Sequence, residues 1–293
     1  MRLQPAETTV SGAAKPRRTR KEPCAGACGS HATAAVKSRY NIKNTMDLLY
    51  GRNAVRETLA ARRRTLKDLF IASGSPKGGI LDEIVQLAEQ SHTPVSYVER
   101  HVIDKRLRDV NHQGVLLEAG AYPYVDLQDC LQCAAERQEP VLLLLLDHLQ
   151  DPQNLGSLLR TAEIVGVHGV VLPGRRAAEV TPAVVNASSG ATEHLLITVV
   201  NNLAQTIQKL QQADVWVVGV ENDERAFVFD RVDLNMPLAL VVGAEGSGLA
   251  RLTRERCDFL VRLPMRGTIT SLNAAVAGSI ILYHAWRQRG TTA

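Results

Sequence analysis

The sequence predicts an α/β protein in two unequal parts, the larger built on a parallel sheet. Three observations lead there. From residue 141 onward short apolar runs alternate with segments of helical periodicity, the pattern of strands joined by crossover helices. Two of the runs, Val141–Leu146 and Leu238–Val242, are apolar at every position, which suits strands buried on both faces. A smaller α/β unit of seventy-odd residues precedes them, divided from them by a Pro- and Tyr-bearing stretch.

In chain order, Leu48-Leu-Tyr-Gly51-Arg52-Asn53 leads into a helix over 54–61, with Asn53 placed as its N-cap. A basic run, Arg62-Arg63-Arg64 and Lys67, precedes a strand over 69–72. A loop, Ser75-Pro-Lys77-Gly-Gly79, opens a helix over 80–90; a strand over 94–98, a helix over 102–110 and a strand over 115–118 complete the unit. Arg52, Arg56, Arg62, Arg63, Arg64 and Lys67 read equally as a solvated helix face or as a phosphate-contacting patch. His112, beside Gln113 and Gly114, reads as an RNA contact or as an ordinary turn. Residues 122–139 form a linker with a helix over 126–138. Beyond it come strands over 141–147, 169–172, 196–199, 215–220, 238–242 and 259–263, and helices over 154–165, 182–188, 203–213 and 271–287.

Composition narrows the class. The 293 residues leave room for a sizeable core, and no apolar run is long enough to span a membrane. The net charge of +4 conceals an asymmetry. Residues 1–45 hold nine Lys or Arg against Glu7 and Glu22, a net of +7, which leaves −3 over residues 46–293. That tail is too polar to bury a core and reads as disordered. It is open to three readings: a nonspecific nucleic-acid arm, an extension ahead of a start at Met46, or an Arg-rich organellar transit peptide. Five cysteines, odd in number and unevenly placed, imply a reducing compartment, and the expected location is cytoplasmic. Cys130-Leu-Gln-Cys133 has zinc-like spacing, but only the distant Cys24 and Cys28 would complete a site, so helix cysteines packed or solvated by chance are the expected reading.

The polar residues with chemistry in them stand where strands end. Asp151-Pro-Gln-Asn154-Leu-Gly156 and Arg160 follow the first large-unit strand; Gly243-Ala-Glu245-Gly246-Ser-Gly248 follows the run 238–242; Leu263-Pro-Met-Arg-Gly267 leads to Ser271-Leu272-Asn273 at the start of the last helix. Loops at the carboxyl ends of parallel strands are where open α/β sheets bind ligands. Each group has a plain structural reading: Asn154 as a helix cap, Gly156 as a close-packing residue, Arg160 as a solvated cation. Together, Asn, Arg, Glu, Ser and Asn with no His or Cys among them suit the orientation of a hydroxyl or phosphate better than nucleophilic hydrolysis. A dinucleotide-dependent oxidoreductase is a rival but poor reading, because Gly243-x-x-Gly246-x-Gly248 lacks the G-x-G-x-x-G spacing and falls late in the chain.

Three segments, Asp151-Pro-Gln-Asn154-Leu-Gly156-x3-Arg160-Thr-Ala162, Val242-Gly243-Ala-Glu245-Gly246-Ser-Gly248-Leu249 and Leu263-Pro264-Met265-x5-Ser271-Leu272-Asn273, resemble the three ordered motifs of the SpoU (TrmH) family of RNA ribose 2′-O-methyltransferases. The resemblance covers residues 141–287 and implies an α/β-knot (SPOUT) domain over 140–293, a trefoil-knotted parallel sheet that is a rare exception to unknotted chains. Residues 46–121, with Tyr50-Gly51-Arg52-Asn53 and His112-Gln113-Gly114-Val115, resemble the L30e-like RNA-binding domain of the family branch that methylates a guanosine of large-subunit ribosomal RNA. Leu263 stands where that family often has Ile.

The resemblance implies S-adenosylmethionine as cofactor, held through Gly243, Leu263 and Leu272 largely by backbone. It implies a catalytic set of Asn154, Arg160, Glu245, Ser271 and Asn273, and a homodimer whose subunits share each site. Arg160 is expected to clamp phosphate and polarise the 2′-hydroxyl rather than act as base, since guanidinium stays protonated. No metal is expected. Two functional alternatives stay open on the same fold: a transfer RNA or other ribosomal RNA methyltransferase, and a non-catalytic RNA-binding assembly factor.

Overall fold

The computed structural model describes residues 46–75, 78–174, 179–269 and 271–290. The expectations for the basic tail, Cys24, Cys28 and Lys77 lie outside the described residues. Among those described, no helix is long and apolar enough to cross a membrane.

The small lobe is a mixed four-stranded sheet. Its elements are β1 (Asp47–Tyr50), α1 (Arg52–Ala61), β2 (Leu66–Ala72), α2 (Ile80–Gln90), β3 (Val95–Val98), α3 (Arg100–Arg106) and β4 (Val115–Ala119). In the order β1-β4-β2-β3, β4 runs antiparallel to both neighbours and β2 pairs parallel with β3. The helix after β1 starts at Arg52, not after Asn53: Gly51 precedes it at φ 85°, and Arg52 is tied by its backbone N–H and Nε to Gln113. His112 is buried; Nε2 meets Asp104 at 2.7 Å and Nδ1 accepts the Gly114 N–H. The structural-turn reading therefore holds for it.

The large lobe contains β5 (Leu142–Asp147), α5 (Pro152–Ile164), β6 (Gly169–Pro173), α6 (Pro182–Ala187), β7 (Ile197–Val200), α7 (Leu203–Gln212), β8 (Trp216–Val220), β9 (Phe227–Val228), β10 (Leu238–Gly243), α8 (Arg251–Arg256), β11 (Phe259–Arg262) and α9 (Ala274–Gln288). Its seven strands lie in the order β7-β6-β5-β10-β8-β11-β9, and every pair is parallel. The five leucines of β5 are each at most 2 % exposed, each contributing roughly 2 kcal/mol by burial. Periodicity missed β9 and α8, which are too short to show one.

The helix expected in the linker, α4 (Leu127–Glu136), begins at an Asp126/Asp129 capping box and packs on the large sheet. Cys130 lies against Gly169 at the strand start, and burial pushes its thiol up to about 12. Cys130 is packed in the core, and among the described residues, which do not include Cys24 and Cys28, no group of side chains could hold a metal. The linker itself is anchored. The Tyr122 hydroxyl donates to the carbonyls of Thr192 and Leu195, and that of Tyr124 accepts the Val180 N–H.

The basic run is mostly engaged within the chain. The Arg64 side chain is 0 % exposed, bidentate to an equally buried Glu193 at 2.8 and 3.0 Å, and bound to Asp47 at 2.7 Å. Arg63 donates to the carbonyls of Glu193 and Leu195, Arg56 pairs with Glu57, Lys67 with Glu118, and Arg62 reaches Gln90. Neither reading of the run is right for Arg63 and Arg64: they join the two lobes.

Candidate active site

Three loops converge at the carboxyl ends of β5, β10 and β11, and each starts from a strand buried in the sheet. After β5 the chain turns into α5, capped not by Asn154 but by Asp151, whose carboxylate accepts the N–H groups of Gln153 and Asn154. Pro152 fixes the first helical turn. Asn154 is thereby freed. Its Nδ2 donates to Glu245 Oε2 at 2.8 Å. Asn273 caps α9, its Oδ1 accepting the N–H groups of Ala275 and Val276. That leaves its Nδ2 to donate to Asn154 Oδ1 at 2.8 Å and Glu245 Oε1 at 3.3 Å.

Both amide orientations follow from the bonds. Asn273 must present oxygen to the helix, so it presents nitrogen to Asn154, which must then point its own nitrogen at the carboxylate. Three loops from three strands are locked by one carboxylate and two amides. The last helix starts only at Ala274, so Ser271 lies in the loop, exposed, with Leu272 beside it.

Gly243 serves the protein's own loop. Residues 244–248 fold back through the Ala244–Gly248 bridge, and a Cβ on Gly243 would sit 2.3 Å from the Gly248 carbonyl carbon and 2.6 Å from the Leu249 nitrogen. The close approach expected there is thus between two stretches of this backbone, before any ligand arrives. Two carboxylates that sequence reasoning passed over hold the same loop. Glu221 Oε2 accepts the Leu249 N–H at 3.0 Å, and the buried Asp147 accepts the Ala250 N–H at 2.7 Å while meeting His148 at 2.5 Å. The signal for both was positional: an acid directly after an apolar run, Asp147 after residues 141–146 and Glu221 after residues 215–220.

Arg160 and Ser271 stand apart from this lock. Arg160 is exposed on α5 and reaches Ser189 Oγ at 3.4 Å. Gly156 does allow the close packing expected of it: a Cβ there would lie 2.5 Å from Ala187 Cβ on α6.

Residues 264–269 make no hydrogen bond with other described residues. With Leu263 buried at one end and Leu272 exposed at the other, free backbone donors and acceptors flanked by apolar side chains fit a nucleoside with a polar edge and apolar faces. Adenosylmethionine is such a ligand.

Known proteins share this architecture. A family model described as the SpoU rRNA methylase family matches residues 141–283, and one described as RNA 2′-O ribose methyltransferase substrate binding matches residues 48–125. A Bacillus subtilis protein assigned to the TrmH family of tRNA/rRNA methyltransferases is 44% identical over 243 residues, 83% of this chain and 96% of its own. The 23S rRNA (guanosine-2′-O-)-methyltransferase of Pseudomonas putida is 38% identical over 247 residues, 83% of this chain and 97% of its own. The crystal structure of the SpoU methyltransferase AviRb from Streptomyces viridochromogenes with AdoMet superposes with a TM-score of 0.70 at 25% identity, over 85% of this chain and 92% of that one. The large lobe has the α/β-knot fold, with the substrate-binding domain in front of it. The chain belongs to the SpoU family of S-adenosylmethionine-dependent RNA ribose 2′-O-methyltransferases.

Proposed function

We propose that this enzyme methylates the ribose 2′-oxygen of a guanosine in 23S ribosomal RNA, as a cytoplasmic homodimer that builds each site from both subunits. The observation that supports the shared site is that Arg160 bonds Ser189 and no member of the Asn154–Glu245–Asn273 lock of its own chain. An apolar stripe supports the dimer: Val276, Ile280 and Tyr283 recur at helical spacing on α9 and are 46, 40 and 47 % exposed, with Ile164 at 61 % near Trp286. The ribosomal guanosine rests on the Pseudomonas relative, which is alike across both lobes.

Bound adenosylmethionine supplies an electrophilic sulfonium methyl group. The chain's own task is alignment of the ribose oxygen with that methyl. Arg160 suits it: a planar fork holds a phosphate oxygen and the 2′-hydroxyl together, favouring negative charge on the attacking oxygen. A guanidinium offers donors and no acceptor, so it is not the base; the hydroxyl proton leaves to a phosphate oxygen or water. Asn154, Glu245 and Asn273 hold the three loops in register, and Ser271 offers a hydroxyl from the same loop that carries Leu272.

Ribose methylation mapped by mass spectrometry in total RNA of a deletion strain and its parent tests the target. Loss of one 2′-O-methylguanosine from 23S rRNA is expected; loss from a transfer RNA instead would overturn the assignment. Mixing inactive Arg160→Ala and Gly243→Val subunits tests the shared site. One site of the heterodimer carries both lesions and the other neither, so activity returns in part. No return under verified subunit exchange refutes the composite site.

A further inference from the structure

Where the small lobe meets the large one it packs on α6 and grips the short segment that follows, which carries the partner of Arg160. Residues 188–195 run from the end of α6 through a 3-10 turn, Ala191–His194, to β7. Most of the side-chain hydrogen bonds to it come from the small lobe or the linker, while α5 of its own lobe packs on it too. Arg64 takes the Glu193 carboxylate; Arg63 takes the Glu193 and Leu195 carbonyls; Tyr122 takes the Thr192 and Leu195 carbonyls; Glu57 meets His194 Nε2 at 2.8 Å. Gly190 is pressed against α1, where a Cβ would lie 2.5 Å from Glu57 Cβ and 3.2 Å from Ala54 Cα.

At the head of this segment Ser189 has φ 55° and Gly190 φ 88°, so a serine occupies the left-handed region directly before a glycine that needs it. The turn is closed by Val184, Asn186 and Val185 carbonyls accepting the N–H groups of Ser188, Ser189 and Gly190. A non-glycine residue held in that conformation persists only where its surroundings over-determine it, and such residues cluster at functional sites. The turn aims Ser189 Oγ at Arg160 Nη1, 3.4 Å away, on the exposed face of α5.

We infer that Ser189 is a positioning residue for Arg160, and that the small lobe, by clamping residues 188–195, sets the pose of that arginine as well as binding substrate. The inference rests on the proposed role of Arg160 and extends it. Arginine has rotamer freedom that catalysis requires to be restricted. A hydroxyl fixed by a rigid turn restricts it from one side while leaving the other guanidinium nitrogens for phosphate and ribose. It also ties the methyl-transfer residue to the lobe that receives RNA, so a change in the seating of one lobe on the other moves Ser189 and with it the guanidinium.

The test is a kinetic double-mutant cycle in the full-length enzyme, on its methyl-accepting RNA, with adenosylmethionine affinity measured by calorimetry. Ser189→Ala is expected to lower kcat about fivefold, the size of one ordinary net hydrogen bond for this long, exposed contact, with cofactor affinity and KM for RNA unchanged. Ser189→Gly, which keeps the left-handed backbone at less strain but lacks the hydroxyl, should be equally impaired. In the Arg160→Ala background, Ser189→Ala should have no further effect, because its only route to the reaction is gone. Wild-type kcat in Ser189→Gly, or additive losses in the double variant, overturns the positioning role and leaves the Arg160 mechanism standing. A fully active Arg160→Ala enzyme overturns both.

Discussion

Arg64→Ala removes the cation from the contact between the lobes, and the structure sets the size of the effect. Arg64 and Glu193 are both 0 % exposed and joined by two parallel hydrogen bonds, with Asp47 and the Gly120 carbonyl on the remaining nitrogen and the Tyr122 ring 5.0 Å away. Truncation leaves Glu193 buried with only a 3.4 Å bond from the Thr192 hydroxyl. Stranding one member of a buried pair costs about 3–5 kcal/mol. For a chain of this size that is a fall in Tm of roughly 10 °C. Urea titration followed by circular dichroism measures it, with Arg62→Ala as control: that arginine is exposed, and its loss should stay within about 0.5 kcal/mol. Replacing both partners, Arg64→Met with Glu193→Leu, should recover most of the stability, because the desolvation of two charges disappears together with their attraction. Arg64→Ala at wild-type stability with weakened RNA binding would refute the reasoning and return Arg64 to an RNA-facing surface.

Three further outcomes follow from the same geometry. Gly243→Ala should leave the sheet intact and lower cofactor affinity at least tenfold in calorimetry, since the new Cβ strikes the returning 248–249 backbone; unchanged affinity would mean that the loop gives way freely. His168 accepts the Leu142 N–H at Nδ1, which must be unprotonated there, and so donates to Glu139 through Nε2; burial above all, opposed by Glu139, holds its pKa below the ordinary 6.5. The unfolded chain therefore takes up the proton first, so this contribution is complete above pH 6.5 and is lost as pH falls from there through the folded value. His168→Gln should flatten that part of a stability–pH profile, and an unaltered slope would rule the residue out. Ile280→Glu with Tyr283→Lys should convert the proposed dimer to monomer in sedimentation while leaving the fold's circular dichroism unchanged; a persistent dimer would place the interface elsewhere.

Much of this protein is set by local sequence. Apolar runs specify strands buried on both faces, helix caps follow from Asp126, Asp151, Thr181, Asn202 and Asn273, and both kinds of signal act within a few residues. The three motifs likewise locate the loops that bear Asn154, Glu245 and Asn273. Tertiary structure decided which partner each polar group takes. Nothing local distinguishes Asn154 as a cap from Asn154 as a donor to Glu245, ninety-one positions away; Asp151 capping the helix first makes the difference. The run Arg62-Arg63-Arg64 is three equivalent cations in sequence, yet the fold exposes the first, bonds the second to carbonyls of the other lobe and buries the third against Glu193. Charge is a property of the residue. Its desolvation and its counter-charge depend on chain segments more than a hundred residues distant, and these only folding brings together.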